Sequence, residues 1–393
     1  MFKDSIVQHI MLSPLLFAIS FCLLAVASGY KFLVRRRWRQ ISSQPLPPVE
    51  KDPYLSIETL PNFDWKTTPP IRNSPLKPKY HLTMAVEKIT LSEILDMDNT
   101  YAERMQIRRQ IMDENTDATI RCNKVCEPAV LELHDWIFGT YLPQRYPTMY
   151  ELQNTTSPSG PHLLNKVTNE LIPLHQPSPL QALHTLGAHV DTDLLLLLPS
   201  STAPDGSPLY HLEAFVCCFP SGFSLRKKLG LPLSAIHMPV PGYKTKLEKS
   251  MDRFFARLEC GSAVKRANWT ITTNEPLFSE GGNHLYATTG GMKGEEKEKV
   301  SLQARIEEEK AKVVIGDCRL RSERQTLFRL PRSRAVVFGF KTFQYLLEDV
   351  KREGYGERLA EAIEGLGLGN VPEIQVYKRG VVWGEKVLEF LRR

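Results

Sequence analysis

Arg319-Leu320-Arg321-Ser322-Glu323-Arg324-Gln325-Thr326-Leu327-Phe328-Arg329-Leu330, followed past Pro331-Arg332-Ser333 by Ala335-Val336-Val337-Phe338-Gly339-Phe340-Lys341-Thr342-Phe343, reads as two strands with a turn between them. Alternation puts Arg321, Glu323 and Gln325 on one face and Leu320, Ser322, Arg324 and Thr326 on the other. Guanidinium, carboxylate and amide groups in mid-strand are costly in a core unless they are paired or face a bound anion. The same pattern also suits an exposed edge strand carrying ion pairs that deter aggregation. On the residues alone both readings stand.

Outward from this segment, 193–198, 211–219 and 268–274 are further short strand-like runs. Helical patterns lie at 246–258, with Leu247, Met251, Phe254, Phe255 and Leu258, and after Thr342. Thr90-Leu91-Ser92-Glu93 is a capping box that opens a helix bearing Ile94, Leu95, Met97, Tyr101, Met105 and Ile111, and a second helix is predicted over 128–138. Pro-rich loops are expected at 142–147 and 156–179. Residues 279–312 read as a mobile insertion running into a solvated helix. Gly365-Leu366-Gly367-Leu368-Gly369 lacks a preceding strand and reads as a loop after a helix rather than a dinucleotide fingerprint. Strands with helices segregated around them give an α+β fold.

The chain has 393 residues, 42% hydrophobic, with 28 Pro against 23 Gly and a formal charge of +6. Lys3, Lys31, Arg35, Arg36, Arg37 and Arg39 against Asp4 alone put five of those six charges in residues 1–39. The remainder is electrically balanced, so no nucleic-acid footprint is present. Ser5 to Tyr30 carries no charged side chain, and 25 mostly apolar residues make a helix of about 37 Å, enough to cross ~30 Å of hydrocarbon. Positive charge on its C-terminal flank keeps that side cytoplasmic. The expectation is a single-pass anchor at 1–39, with the body in the cytosol at the endoplasmic reticulum. A Pro-rich stalk follows at 40–78, then a main domain at 79–350 and a C-terminal helical extension at 351–393. Seven cysteines without a metal-ligand pattern suit a reducing compartment, where the sequons at Asn154 and Asn268 meet no glycosylation machinery.

No nucleophile elbow, P-loop or zinc-peptidase motif is present. Ile236-His237-Met238-Pro239-Val240-Pro241-Gly242-Tyr243 holds a histidine on stiff backbone just before a helix. Such a histidine is either a metal or haem ligand or a helix cap. Val264-Lys265-Arg266-Ala267-Asn268-Trp269 leads a cation and an amide into a strand, as a site or as a solvated strand entry.

At these residues the chain resembles the family of the haem-dependent oxidative N-demethylase α-subunit, common in fungi. The matching blocks run from Lys79-Tyr80-His81-Leu82-Thr83-Met84, through Asp98, Tyr101 and Arg108, to Leu142-Pro143-Gln144-Arg145-Tyr146-Pro147-Thr148-Met149. They continue through Asp193-Leu194-Leu195-Leu196, Phe219-Pro220-Ser221-Gly222-Phe223-Ser224, Lys228-Leu229-Gly230, the His237 segment, Arg266–Trp269 and Arg321–Leu327, and close at Leu330-Pro331-Arg332-Ser333. The resemblance implies a PAS-like antiparallel sheet with flanking helices that binds haem b. It implies O2-dependent oxidation of a small amine, by N-dealkylation or a related reaction, with electrons from a flavin and iron–sulfur reductase or a membrane reductase. By that match His237 becomes the candidate iron ligand, and Arg324 or Arg266 the partner of a haem carboxylate. Asn268, Trp269 and Arg321 complete the cofactor set, with Gln325, Glu323 and Tyr243 as candidate catalytic groups. Two departures stand out: Asp191-Thr192-Asp193 where the family usually shows Gln-Glu-Asp, and Phe223 where it usually shows Trp. The first puts Thr192 in place of the family's Glu carboxylate and so bears on the substrate. A PAS-like sensor, or an interaction protein without haem, is the alternative outcome.

Overall fold

A computed structural model of the chain describes residues 52–153, 160–286 and 295–393. The expected anchor at 1–39 and the sequon at Asn154 lie outside the described residues. Among the described residues no helix is long and apolar enough to cross a membrane.

The opening pair of strands is confirmed and sits at the centre of the molecule. We number the strands β1 (Glu87–Ile89), β2 (Ile120–Cys122), β3 (Tyr150–Gln153), β4 (His162–Asn165), β5 (Glu170–Pro173), β6 (Asp193–Thr202), β7 (Pro208–Val216), β8 (Ala263–Thr272), β9 (Arg319–Arg329) and β10 (Val336–Leu346). Seven of them form one antiparallel sheet in the order β1-β8-β9-β10-β6-β7-β2. Flanked by β8 and β10, β9 is interior, which disposes of the edge-strand reading of its charged face.

The sheet separates two cores. Leu194, Leu196, Ala214, Val216, Phe328 and Val337 face one way, towards helices Tyr101–Glu114, Glu127–Trp136 and Pro179–His189. Their sequence neighbours Leu195, Leu197, Phe215, Leu327 and Val336 face the other, together with Phe340, as period-two geometry requires. Helix Glu248–Arg257 packs on that second side through Met251 and Phe255, four residues apart, while Lys249 and Arg253 point outward. Each apolar side chain taken out of water contributes about 1.5–3 kcal/mol. A helix this short is therefore held by packing rather than propensity. Helices Gly356–Glu364 and Gly380–Arg392 cover the remainder of this face.

Three expectations are corrected. The capping box at Thr90 and Glu93 is real, but it closes only a 3₁₀ turn, Leu91–Glu93; the helix starts at Tyr101, where Asp98 Oδ1 accepts from the Thr100 N–H at 2.9 Å. The 156–179 stretch, expected to be loop, contributes β4 and β5 to a three-stranded β3-β4-β5 sheet, with Leu163 and Ile172 buried. Its tight turn is made by Asn165, whose Oδ1 accepts from the Val167 N–H at 3.0 Å, and by Asn169 in the left-handed region. Residues 52–78, expected to be stalk, lie against the body. Tyr54 and Ile57 are core residues, with Leu60, Phe63 and Trp65 packed beside them. The Tyr54 hydroxyl donates to the Arg329 carbonyl, and Trp136 Nε1 donates to the Tyr54 carbonyl at 2.9 Å. Proline composition suggested an extended spacer; the aromatic residues between the prolines decide otherwise.

Candidate functional site

On the second face of the sheet lies a cavity of about 280 Å³. Its floor is the sheet. Arg266 and Asn268 project from β8, Arg321, Glu323, Gln325 and Leu327 from β9, Phe338 and Phe340 from β10, and Leu195 and Leu197 from β6. The register pairs Arg266 with Gln325 and Asn268 with Glu323, so four polar side chains meet across two neighbouring strands. Gln325 Nε2 donates to Glu323 Oε2 at 2.9 Å.

One wall carries His237, the last residue of helix Leu233–His237. Its Nδ1 lies 2.9 Å from the Leu233 carbonyl, one turn back. Its ring stacks on Tyr243 at 5.0 Å and 16°. Burial pushes the imidazole down to about 4, so it is neutral at pH 7. With Nδ1 carrying the proton toward a carbonyl, Nε2 is the ring nitrogen left with a lone pair, and it has no hydrogen-bond partner among the described residues. The backbone turns back at Pro241-Gly242, where Gly242 has φ +73° and a Cβ would meet Val371 at 2.6 Å.

The roof comes from two segments far apart in sequence. Tyr80, Leu82 and Met84 line it in one segment, and Ile374, Tyr377 and Lys378 in another. The Gly365–Gly369 loop joins them. Tyr80 N–H donates to the Gly365 carbonyl at 3.1 Å, and Asn370 Oδ1 accepts from the Leu82 N–H at 2.7 Å. A Cβ on Gly369 would lie 1.5 Å from the Tyr80 carbonyl oxygen. The glycines are there for close backbone approach.

Of the expected site residues, His237, Tyr243, Arg266, Asn268, Trp269, Arg321, Glu323 and Gln325 all line this one cavity. Arg324 does not. It lies on the opposite face of β9, donating to the Glu93 carbonyl at 2.6 Å and pairing with Asp96 at 2.8 Å. Strand alternation already separated it from Arg321, Glu323 and Gln325; the motif match overrode that reading. Arg324→Lys keeps a cation beside Asp96, so we expect no change in cavity ligand binding and a stability loss of about 1 kcal/mol or less in urea unfolding. A tenfold loss of ligand affinity would return Arg324 to the site.

Other side chains near the sheet that could ligate iron lie elsewhere. His189 is held near Asn165 and Glu170, and His211 bonds Ser201 at 2.7 Å and the Gly230 carbonyl at 2.9 Å. Cys217 sits 3.5 Å from Asp193, and neither it nor Cys218 or Cys318 reaches the cavity. Burial raises all three thiols, the opposite of what a thiolate ligand needs. Asp191, where the family usually shows Gln, and the matching Asp193 pair with Arg104 and Arg108 at 2.7 Å each. None of Asp191, Thr192 and Asp193 lines the cavity, so this departure makes no direct contact with the cavity's contents; Phe223 does line it.

Three cavity residues escaped the sequence reading. His284 packs against Tyr377 in a tilted pair with ring centroids 4.5 Å apart, within the segment expected to be a mobile insertion; instead Asn283 and Leu285 on either side of it are buried. Lys378 and Lys228 looked like surface charges. Lys378 is 4% exposed, with Nζ 3.1 Å from Asn268 Oδ1 and also bonded to the Trp269 carbonyl. Burial pushes its ammonium down to about 7. Asn268 is thus engaged inside the cavity wall and is no surface glycan acceptor.

These features fit an iron porphyrin: a neutral imidazole with one free nitrogen, cations short of acceptors, and apolar walls. Arg266 Nε is buried without a partner, and among the described residues Arg266 makes no hydrogen bond or ion pair. A profile of the family described as haem-dependent oxidative N-demethylase, alpha subunit-like matches residues 85–388. The match takes in the sheet, the His237 wall and the C-terminal helices that roof the cavity. The chain belongs to the haem-dependent oxidative N-demethylase, alpha subunit-like family.

Proposed function

We propose that the chain is a haem b oxidoreductase that carries out O2-dependent oxidative N-dealkylation, or a related oxidation, of a small amine. The observation that carries this is His237: neutral, anchored through Nδ1, and presenting a free Nε2 to a largely apolar cavity. Bound there, haem supplies the one-electron and oxygen chemistry that side chains lack. His237 holds the iron, and the Leu233 carbonyl and Tyr243 ring fix the imidazole plane. Arg266 pairs with a haem carboxylate. Glu323, oriented by Gln325, accepts from an amine N–H, and the roof keeps water out. The sheet's five long strands, taken in chain order as first to fifth, lie in the order 3-4-5-1-2; this circularly arranged antiparallel sheet supports the PAS-like reading.

Purified protein supplied with haem is expected to show a Soret band at near-equimolar haem and, with a chemical reductant, amine-dependent O2 uptake. No Soret band overturns the reading, and a haem spectrum without uptake makes the protein a sensor. We further infer that residues 1–39 anchor this body at the endoplasmic reticulum, on the cytosolic side, beside a flavin or iron–sulfur reductase. Their charge asymmetry and apolar run support it. A protein lacking 1–39 is expected to be soluble and folded. If it still sediments with membranes in high salt, the anchor is wrong.

A further inference from the structure

Buried charge is treated differently on the two faces of the sheet. On the helical face Arg104 and Arg108 have Asp191 and Asp193, and Lys341 has Asp98 at 2.5 Å. Facing the cavity are four cations, Lys228, Arg266, Arg321 and Lys378, against the single carboxylate of Glu323. Among the described residues none of these five forms an ion pair. Lys228 and Arg321 are tied to carbonyls: Lys228 to Ile236 at 3.3 Å, and Arg321 to Leu277 at 3.0 Å and Phe219 at 2.8 Å. Arg266 has no acceptor, and Lys378 uses two of its three N–H donors. An excess of buried positive charge destabilises the empty protein and persists only where something else supplies the counter-charge.

Arg266 and Lys378 also belong to different parts of the fold. Arg266 is on β8, whereas Lys378 follows the short helix Ile374–Tyr377 in the roof. They are close enough that the Arg266 charge adds to burial in lowering the Lys378 ammonium, and Lys378 reaches Asn268, two residues along β8 from Arg266. The Lys378 carbonyl in turn accepts from Trp383 Nε1 at 3.0 Å, tying this point to helix Gly380–Arg392. We infer that Arg266 and Lys378 form a two-cation clamp for the carboxylates of the cavity's ligand, so that filling the cavity fastens the C-terminal roof to the sheet. The inference deepens the haem reading and rests on it for one of two carboxylate sources, the porphyrin or a carboxylate-bearing amine.

The full chain, freed of haem, is titrated by tryptophan quenching with protoporphyrin IX and with its dimethyl ester, which lacks the charges. The diacid is expected to bind about tenfold or more tightly than the ester, the worth of one charge-assisted hydrogen bond. Lys378→Met or Arg266→Met should collapse that preference to within about threefold, while Lys378→Arg keeps it and controls for folding. Hydrogen exchange in Gly380–Arg392 should slow with the diacid and not with the ester. If haem-loaded protein binds N-methylglycine but not dimethylamine, and only with Lys378 present, the clamp holds the substrate's carboxylate. If no porphyrin binds but hexanedioate slows exchange through Lys378, the clamp stands and the haem reading falls. Equal binding of diacid and ester, with no response to either small carboxylate, overturns the clamp.

Discussion

His237→Ala is expected to lose most bound haem, with affinity down by at least about tenfold, and to lose the ferrous–CO spectrum of a histidine-ligated haem. Among the described residues the side chain's only hydrogen bond runs to Leu233 within its own helical turn, so its removal costs the fold about 1 kcal/mol. Circular dichroism should be unchanged, and the loss is then chemical. The vacated space beside Tyr243 is the size of an imidazole, and free imidazole should restore part of the spectrum. Two results count against the assignment. A long-wavelength CO band in the unmutated protein would mean thiolate ligation, which the buried, raised thiols outside the cavity argue against. An unaltered spectrum in His237→Ala would pass the role to His284, the other neutral imidazole in the wall, which burial also pushes down to about 4.

The sheet was legible because its strands obey a period of two, and the charged face of β9 was visible as a conflict within a strand. What could not be read was the source of the roof. Tyr80 and Lys378 are 298 positions apart in sequence, and no local pattern announces that a glycine loop holds the Tyr80 backbone so that the Lys378 ammonium lies 4.7 Å from its ring. Lys378 sits in Tyr377-Lys378-Arg379-Gly380, which reads like any solvated helix end. His284 was hidden by its Gly-Gly context, which suggested mobility where packing of Asn283 and Leu285 enforces order. The misassignment of Arg324 has a different origin: a motif match takes adjacent residues together, although neighbours on a strand face opposite ways.

Asp193→Asn should be the most damaging conservative change on the other face. The Asp193 carboxylate takes Arg108 Nη1 at 2.7 Å and the backbone N–H groups of Cys218 and Phe219 at 2.8 Å each. An amide retains one acceptor oxygen and leaves a fully buried guanidinium without its counter-charge, which costs about 3–5 kcal/mol. Replacing both partners, as in Asp193→Leu with Arg108→Met, should recover much of that loss, because the penalty comes from the stranded charge. A single-variant loss below about 1 kcal/mol in denaturant unfolding would contradict this. The neighbouring Asp191 gives the network its pH signature. Burial alone would raise its carboxyl, but Arg104, Lys341 and Arg108 together hold it below the ordinary 3.8. Its contribution is therefore present above that value and is lost as pH falls through the lowered one, so acid unfolding should begin below about pH 4. The damage from Asp193→Asn should also cross the sheet. Asp193 grips the N–H of Phe219 while Arg321, on the cavity side, grips its carbonyl, and the segment between these two anchors leads directly into Ser221 and Phe223 of the cavity wall. Loss of one anchor frees that wall, so cavity ligand affinity should fall together with stability, whereas Arg324→Lys leaves affinity unchanged.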